Sequence, residues 1–398
     1  FWSATKTIRP NFTFLVDRPY TKANINIQED WINNGAFEAG NSRVEFDSTV
    51  ANTIGGTQNT TFAELQLNKG AANQYVTQLR PVFIDSSLIL TQGSLLMNNQ
   101  ALTMNNNALS GGTINAPTGP FTRTNGFLIS ESASAQVIWK NLNTVGWRNI
   151  PFGNSATAAI PTYIPYSVQL VSFTNPAGLG DFSVSTYYTA GNALLPPGVT
   201  HINTTGGANN AAGTVDRFWI VGKTAPNTPS SPIAHLTFRF TNGTTTSLPN
   251  EKLGMPALNI INPGRAQPWW NLLTNRAWIR LTTPYTPTNF YTTMQYGVLG
   301  TYDSVRVQNY NWPTLAPQPA GPGLYATTGG YIGDLNPWAI SANSTPLPVE
   351  LINFDAKAVG KHVRLNWSTA SEINNDYFTI ERADKDNMDE FDFITKVN

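Results

Sequence analysis

Apolar and polar residues alternate with a period of two along much of this chain, which is the pattern of half-buried β-strands. The alternation is clearest near the C-terminus, where three short alternating segments are separated by polar turns. Their apolar positions are expected to form the core or an open groove of a small β-sandwich, and they are Val349, Leu351, Leu365, Trp367, Phe378 and Ile380. The pattern therefore predicts a partial sandwich over residues 346–398.

Short alternating segments also recur at close spacing through residues 1–125. Asparagine and glycine separate them, as at Gly55-Gly56 and Gln92-Gly93, because tight turns need positive φ angles that these residues adopt at low cost. Short strands with such turns are typical of a β-solenoid or a β-meander. We expect one of these two architectures in the first region.

Longer strands are predicted between residues 126 and 345. The segment 235–240 alternates cleanly, so one of its faces is expected to be buried and the other wet. Stretches rich in proline and glycine separate these strands, and residues 310–346 are expected to form a loop followed by a linker. The sequence thus predicts an all-β chain in three regions, with a central β-sandwich at 126–345 between the solenoid or meander and the C-terminal module.

Composition narrows the classes of function. The 398 residues include no cysteine, and the 24 basic and 24 acidic residues balance to a net charge of zero. A nucleic-acid partner is not expected, since phosphate binding needs a basic surplus. No apolar run approaches the roughly 18 residues of a membrane span, so no span is predicted. The three histidines lie far apart in sequence and show no metal-ligand spacing.

Three stretches near the C-terminus carry a family resemblance: residues 346–351, 365–372 and 374–382. They resemble the fibronectin-III-like module of Bacteroidota proteins that the type IX secretion system exports. In that family the module usually precedes a C-terminal sorting domain, which this sequence does not contain. The resemblance implies a fibronectin-III-like or immunoglobulin-like fold for the last region, and a protein exported to the outer cell surface or the extracellular space.

Earlier stretches resemble the same family of type IX cargo proteins, namely residues 31–37, 44–46, 88–93, 150–153 and 216–219. The resemblance implies that the type IX machinery is a partner during export. The chain begins at Phe1 without a signal peptide, which predicts a processed, mature product.

The last region is too short for a whole sandwich, because that fold needs about 100 residues. We expect either that the chain continues past Asn398 or that a strand from another molecule completes the module by strand addition. The N-terminal segment is the predicted strand donor, through the apolar residues Ile8, Phe12, Phe14 and Val16. This predicts a non-enzymatic surface protein, structural or adhesive, whose copies form an extracellular filament or sheath.

Two other functions stay open. Trp269, Trp270 and Trp278 can form a platform that stacks on sugar rings, which predicts a polysaccharide-binding module with surface glycans as partners. Aromatic residues also fill sandwich cores and subunit interfaces, so the same tryptophans are alternatively expected there. The third function is a secreted hydrolase, although the sequence contains no nucleophile elbow, zinc-binding helix motif or phosphate loop and we assign no catalytic residue.

One acidic segment has the spacing of a calcium loop, since Asp384, Asp386 and Asp389 follow one another closely. Met388 and Asp389 stand where an EF-hand loop needs an oxygen ligand and a glycine. We therefore favour an exposed acidic hairpin without a cofactor, with structural calcium as the alternative.

Two short motifs predict a covalent modification. The Asp-Ser-x triplets at Ser48 and Ser304 resemble the O-glycosylation sequon of exported Bacteroidota proteins. The motif is only three residues long, so it also arises by chance.

Overall fold

The computed structural model of this chain is all-β, as the alternating pattern predicts, and the residues that it describes contain no helix. The described residues are 6–8, 13–15, 23–105, 121–154, 161–173, 178–189, 195–196, 199, 213–223, 232–243, 250–252, 265–271, 276–278, 293–311, 336–341, 351–369, 378–384 and 387–397.

The first region is a parallel β-solenoid, so the first of the two predicted architectures is confirmed. Its strands are β1 (Lys6–Ile8), β2 (Thr13–Leu15), β3 (Asn24–Ile27), β4 (Trp31–Asn33), β5 (Ala36–Glu38), β6 (Arg43–Phe46), β7 (Asn52–Gly56), β8 (Thr60–Asn68), β9 (Tyr75–Gln78), β10 (Val82–Leu96), β11 (Leu102–Met104), β12 (Phe121–Ile129) and β13 (Val137–Trp139).

Successive turns of the solenoid, here called rungs, place equivalent residues directly above one another in parallel register. On one face Val44 pairs with Leu65, which pairs in turn with Leu88. On another face Ile84 pairs with Met104. These five side chains have no exposed surface. Each rung therefore buries its apolar residues against those of the next rung, because a single rung cannot cover its own apolar face.

A corner of the solenoid depends on glycine. Gly93 interrupts the long strand β10 with a φ angle of +89°, a conformation that side chains with a Cβ rarely adopt. A Cβ at Gly93 would also lie 2.2 Å from Cγ of Lys69 in the preceding rung. The glycine thus permits both the bend and the close approach of the lysine stem.

The last solenoid strand continues directly into an antiparallel sheet, because β13 pairs with β11 on one side and with a central-region strand on the other. The strands of the central region are β14 (Gly146–Ile150), β15 (Tyr166–Ser172), β16 (Phe182–Tyr188), β17 (Arg217–Lys223), β18 (Ile233–Thr241), β19 (Arg265–Asn271), β20 (Arg276–Trp278), β21 (Thr293–Leu299), β22 (Tyr302–Asn311) and β23 (Asn336–Ser341). One sheet has the order β13-β16-β17-β23-β19-β20, and the second has the order β14-β15-β18-β22-β21.

The two sheets pack face to face through large aromatic side chains. Phe238 of the second sheet lies 5.3 Å from Trp219 and 5.2 Å from Trp338 of the first, measured between ring centroids. Tyr310 contacts Trp338 at the same separation of 5.2 Å. Such edge and tilted contacts are the arrangements that aromatic rings prefer. The central region is therefore a β-sandwich with an aromatic core.

The solenoid and the sandwich share one hydrophobic core, which runs without a break from Ile27 to Ile340. The predicted boundary at 125/126 falls inside β12, where Asn125 and Gly126 pair with Gln92 and Gly93. The change of architecture occurs later, at β13.

The C-terminal region consists of two antiparallel hairpins: β24 (Leu351–Val359) with β25 (His362–Thr369), and β26 (Phe378–Asp384) with β27 (Asn387–Val397). Gly360 forms the first turn with a φ angle of +63°, at the place of one of the turns predicted between the alternating segments. Within the described residues, each hairpin is a separate two-stranded sheet.

Candidate functional site

The hairpin β24–β25 has one continuous apolar face. Phe354 lies directly opposite Trp367, and Ala356 lies opposite Leu365. Residues opposite one another in an antiparallel pair project to the same side of the sheet. Phe354 is 56% exposed and Val363 is 64% exposed. This apolar face is therefore open to solvent in the single chain.

The two C-terminal hairpins meet at one aromatic contact, in which the rings of Trp367 and Phe378 lie 5.6 Å apart in an edge arrangement. Four of the six residues predicted to form the module core are only partly buried, namely Leu365, Trp367, Phe378 and Ile380. Leu351 begins β24, and Val349 lies outside the described residues. The structure thus brings part of the predicted core together but leaves it incompletely covered.

The predicted strand donor is paired within its own chain. Ile8 lies in β1, which pairs in parallel with β4, and Phe14 lies in β2, which pairs in parallel with β5. Within the described residues, each of these strands is hydrogen-bonded along one edge to a strand of its own chain, and donation to another molecule stays a prediction. Phe12 and Val16 lie outside the described residues.

The predicted sugar-stacking tryptophans lie in one hairpin at the end of the first sandwich sheet. Trp269 pairs with Trp278, and Trp270 pairs with Ala277, between β19 and β20. The strand order places β20 last in its sheet. The backbone thus brings the three tryptophans into one short hairpin, as either interpretation of them requires.

The two predicted glycosylation sites differ in accessibility. Ser48 is only 6% exposed, and its hydroxyl donates to Oδ1 of Asn52 at 2.8 Å. A buried, hydrogen-bonded hydroxyl is not accessible to a glycosyltransferase in the folded chain, and glycosylation at Ser48 stays a prediction. Ser304 is partly buried in β22 and donates to the carbonyl oxygen of Gly297 at 3.3 Å. Glycosylation at Ser304 stays a prediction.

Asp384, the first residue of the acidic segment, pairs with Asn387 at the end of the last hairpin. Asp389 lies in β27, and Asp386 lies outside the described residues. The hairpin itself agrees with the favoured interpretation, and calcium binding there stays a prediction.

A buried charge cluster at the junction of solenoid and sandwich was not predicted from the sequence. Arg217 has no exposed surface, and its Nη2 donates to Oε1 of Glu251 at 2.6 Å and to Oε1 of Glu131 at 2.9 Å. Burial alone would lower the pKa of Arg217, but the two carboxylates raise it above its ordinary value. The other oxygen of Glu131 accepts the main-chain N–H of Tyr188 at 2.6 Å. The two carboxylates therefore neutralise a buried guanidinium.

Glu131 holds this position with a φ angle of +44°, which is uncommon for a residue other than glycine. Beside the cluster, burial and the neighbouring Glu251 raise the pKa of Asp216 to about 6. A sequence motif could not reveal the cluster, because Glu251 and Glu131 lie 34 and 86 residues from Arg217. The carboxylates that the fold brings together here bind Arg217 and hold the junction in place.

The part of the chain that the structure describes contains no helix long and apolar enough to cross a membrane. No protein-family model, no curated protein and no solved structure matches this chain.

Proposed function

We propose that this protein is a non-enzymatic component of a Bacteroidota cell surface, exported by type IX secretion, with a structural or adhesive role. Its copies assemble into an extracellular filament or sheath by β-strand addition. The sequence resemblance at both ends of the chain supports the route of export. The all-β architecture and the balanced charge are compatible with a structural or adhesive protein of the cell surface.

The observation that carries the proposal is the open apolar face of β24–β25. Phe354 and Val363 expose more than half of their surface on the same hairpin that carries Trp367. Burying one such side chain contributes roughly 1.5–3 kcal/mol. A two-stranded hairpin is also marginal by itself and gains stability from a further strand. Both properties favour an acceptor for a strand of another copy.

The donor in this proposal is the N-terminal segment, which must leave the first rung before it can pair with a neighbour. The strands β1 and β2 are three residues long, and within the described residues each pairs with one strand of the next rung. Few main-chain hydrogen bonds hold them in place, so their release costs less than that of any inner rung. A released β1 or β2 can then pair with the hairpin β24–β25 of a neighbouring copy, and this pairing links the two copies.

Imaging of the assembled protein tests the proposal. Deletion of residues 1–16 removes both donor strands and is expected to abolish filaments. Val363→Ser makes the acceptor face more polar and is expected to weaken assembly. Val298→Ser is the matched control, because Val298 is 57% exposed on the sandwich and outside the acceptor face. Filaments that persist after the deletion exclude the N-terminal donor, and a monomer at high concentration excludes assembly altogether.

Polysaccharide binding is the second candidate, favoured by the direct pairing of Trp269 with Trp278 in a terminal hairpin. The Trp269→Ala/Trp270→Ala double variant is expected to lose retention on immobilised glycans if these rings stack on sugars. Retention unchanged by the double variant would remove this candidate.

A further inference from the structure

Lys69 is a buried lysine at a corner of the solenoid, with only 2% of its surface exposed. Its Nζ donates to Oγ of Ser48 at 2.8 Å and to the carbonyl oxygen of Val50 at 2.6 Å. It also contacts Oδ1 of Asn52. All three acceptors are uncharged and belong to the preceding rung.

A buried ammonium without a carboxylate partner is costly, because the charge loses its hydration without gaining an ion pair. Among the described residues, no carboxylate lies within ion-pair distance of Lys69. Burial lowers the pKa of Lys69 to about 8, and Asp47 opposes this effect only in part. About one in ten of these side chains is therefore the neutral, nucleophilic amine at pH 7, far more than for an exposed lysine with its ordinary pKa of about 10.4.

The carboxamide of Asn52 is held firmly beside this amine. Asn52 is 1% exposed, and its Nδ2 donates to the carbonyl oxygens of Gln28 at 3.1 Å and Glu29 at 2.6 Å. Its Oδ1 accepts the hydroxyl of Ser48 at 2.8 Å. Ser48 thus accepts a hydrogen bond from the Lys69 amine and donates one to the Asn52 carbonyl, which places it between nucleophile and electrophile.

We propose that Lys69 and Asn52 join through an intramolecular amide bond, with release of ammonia. After Lys69 has lost a proton to solvent, the lone pair of Nζ forms a bond to Cγ of Asn52, and the carbonyl π electrons move to Oδ1. Ser48 takes the proton from Nζ and gives its own proton to Oδ1. The Cγ–Nδ2 bond then breaks, and Nδ2 leaves as ammonia with the proton from Oδ1 while the carbonyl re-forms.

The reaction forms one bond and breaks one, and it needs no oxidant, reductant or second substrate. It also replaces a buried ammonium with a neutral amide, which removes the electrostatic cost of burying Lys69. The product ties the start of β7 to the end of β8, 17 residues apart, across two neighbouring rungs. A chain without cysteine thereby gains a covalent brace of the kind that a disulfide supplies elsewhere.

Tryptic mapping of the purified full chain tests the proposal. Between Arg43 and Arg123, Lys69 is the only residue after which trypsin cleaves, because Arg80 is followed by Pro81. The crosslink blocks that cleavage, so the expected product is one peptide of residues 44–123 whose mass is lower by one ammonia. Two linear peptides, 44–69 and 70–123, with unmodified masses would overturn the proposal. Cyclisation of Asn52 alone also releases ammonia, but it leaves cleavage after Lys69 intact and counts equally against the crosslink.

Variants identify the residues responsible. Lys69→Met is expected to restore the full intact mass, and Ser48→Ala is expected to slow crosslinking by about 10²-fold, the typical contribution of a positioned proton-transfer group. Lys140→Met is the control, because Lys140 forms a partly exposed ion pair with Asp181, and it is expected to keep the ammonia deficit. An ammonia deficit that survives Lys69→Met would refute the assignment. If Lys69→Met does not fold, the peptide map of the unaltered chain decides the question by itself.

Discussion

Arg217 and Glu251 form an ion pair in which Nη2 and Oε1 lie 2.6 Å apart and neither side chain has any exposed surface. Glu251 also accepts the main-chain N–H of Thr241 at 2.8 Å, so it joins β17 of one sheet to β18 of the other. Burial raises the pKa of Glu251, and the guanidinium of Arg217 opposes that rise. The pair therefore connects the two sheets of the sandwich through a charge-assisted contact.

Glu251→Ala is expected to lower the free energy of unfolding by about 1–3 kcal/mol, since it removes the acceptor of buried donors on Arg217 and Thr241 while Glu131 still balances the guanidinium charge. Urea denaturation measures the change. Asp181→Ala provides the comparison, because its ion pair with Lys140 is partly exposed and such pairs contribute at most about 1 kcal/mol. Equal losses in the two variants would show that burial does not control the strength of these pairs.

Asp216 predicts a pH dependence of stability. Its folded-state pKa of about 6 is above the ordinary aspartate value of about 3.9. The folded state therefore binds the proton more tightly, and the associated stability is present below pH ~4 and lost as the pH rises through about 6. Asp216→Asn is expected to raise the melting temperature at pH 7 and to leave it nearly unchanged at pH 4. Melting curves displaced equally at both pH values would contradict the assignment.

Gly93→Ala is expected to lower the free energy of unfolding by more than the cost of placing alanine at a positive φ angle. Gly300 has a φ angle of +64° with open space around it, so Gly300→Ala isolates the conformational cost of roughly 1–2 kcal/mol. Gly93→Ala adds a steric conflict with the Lys69 stem, for which overpacking costs of about 1–3 kcal/mol are typical. Thermal unfolding compares the two, and a smaller loss for Gly93→Ala would mean that the corner relaxes freely.

Thr60→Val is expected to lower the free energy of unfolding by about 1–3 kcal/mol, because it removes an acceptor that buried donors need. Oγ1 of Thr60 accepts Nε1 of Trp31 at 3.1 Å and Nδ2 of Asn33 at 3.2 Å. Thr61 is the next residue in β8 and is partly exposed, so Thr61→Val is expected to change stability by less than about 0.5 kcal/mol. Denaturant unfolding distinguishes the two, and equal effects would exclude the hydrogen bonds as the cause.

The period-two alternation was sufficient to predict the strands. Leu236, Phe238 and Phe240 alternate with polar residues, and the structure buries all three, but it also buries Thr237 and Arg239 on the face that was predicted to be wet. Alternation is a local property, so it identifies a strand and its buried face but not the strand beside it. The choice between solenoid and meander depended on contacts such as Leu65 with Leu88, for which the sequence has no short-range signal.

The buried polar groups were beyond prediction for the same reason. Lys69 stands in an Asn-Lys-Gly turn, where a lysine is normally exposed, and it is buried because Ser48 and Asn52 of another rung supply acceptors. The N-terminal donor was predicted as a free strand because Phe14 alternates with polar neighbours. That pattern does not reveal whether the strand pairs within its own chain or with another molecule.

The shared strand β13 has a consequence for how this chain can be divided. A fragment that ends at residue 125 would keep Phe121, the partner of Leu88, but lose Leu128, the partner of Leu95. It would also lose Val137, which pairs with Leu102 in the solenoid and with Val184 in the sandwich. Both pieces would then expose apolar columns and an unpaired strand edge. The solenoid and the sandwich therefore cannot be exchanged as independent domains. A replacement for either must also supply the strand that pairs with β13.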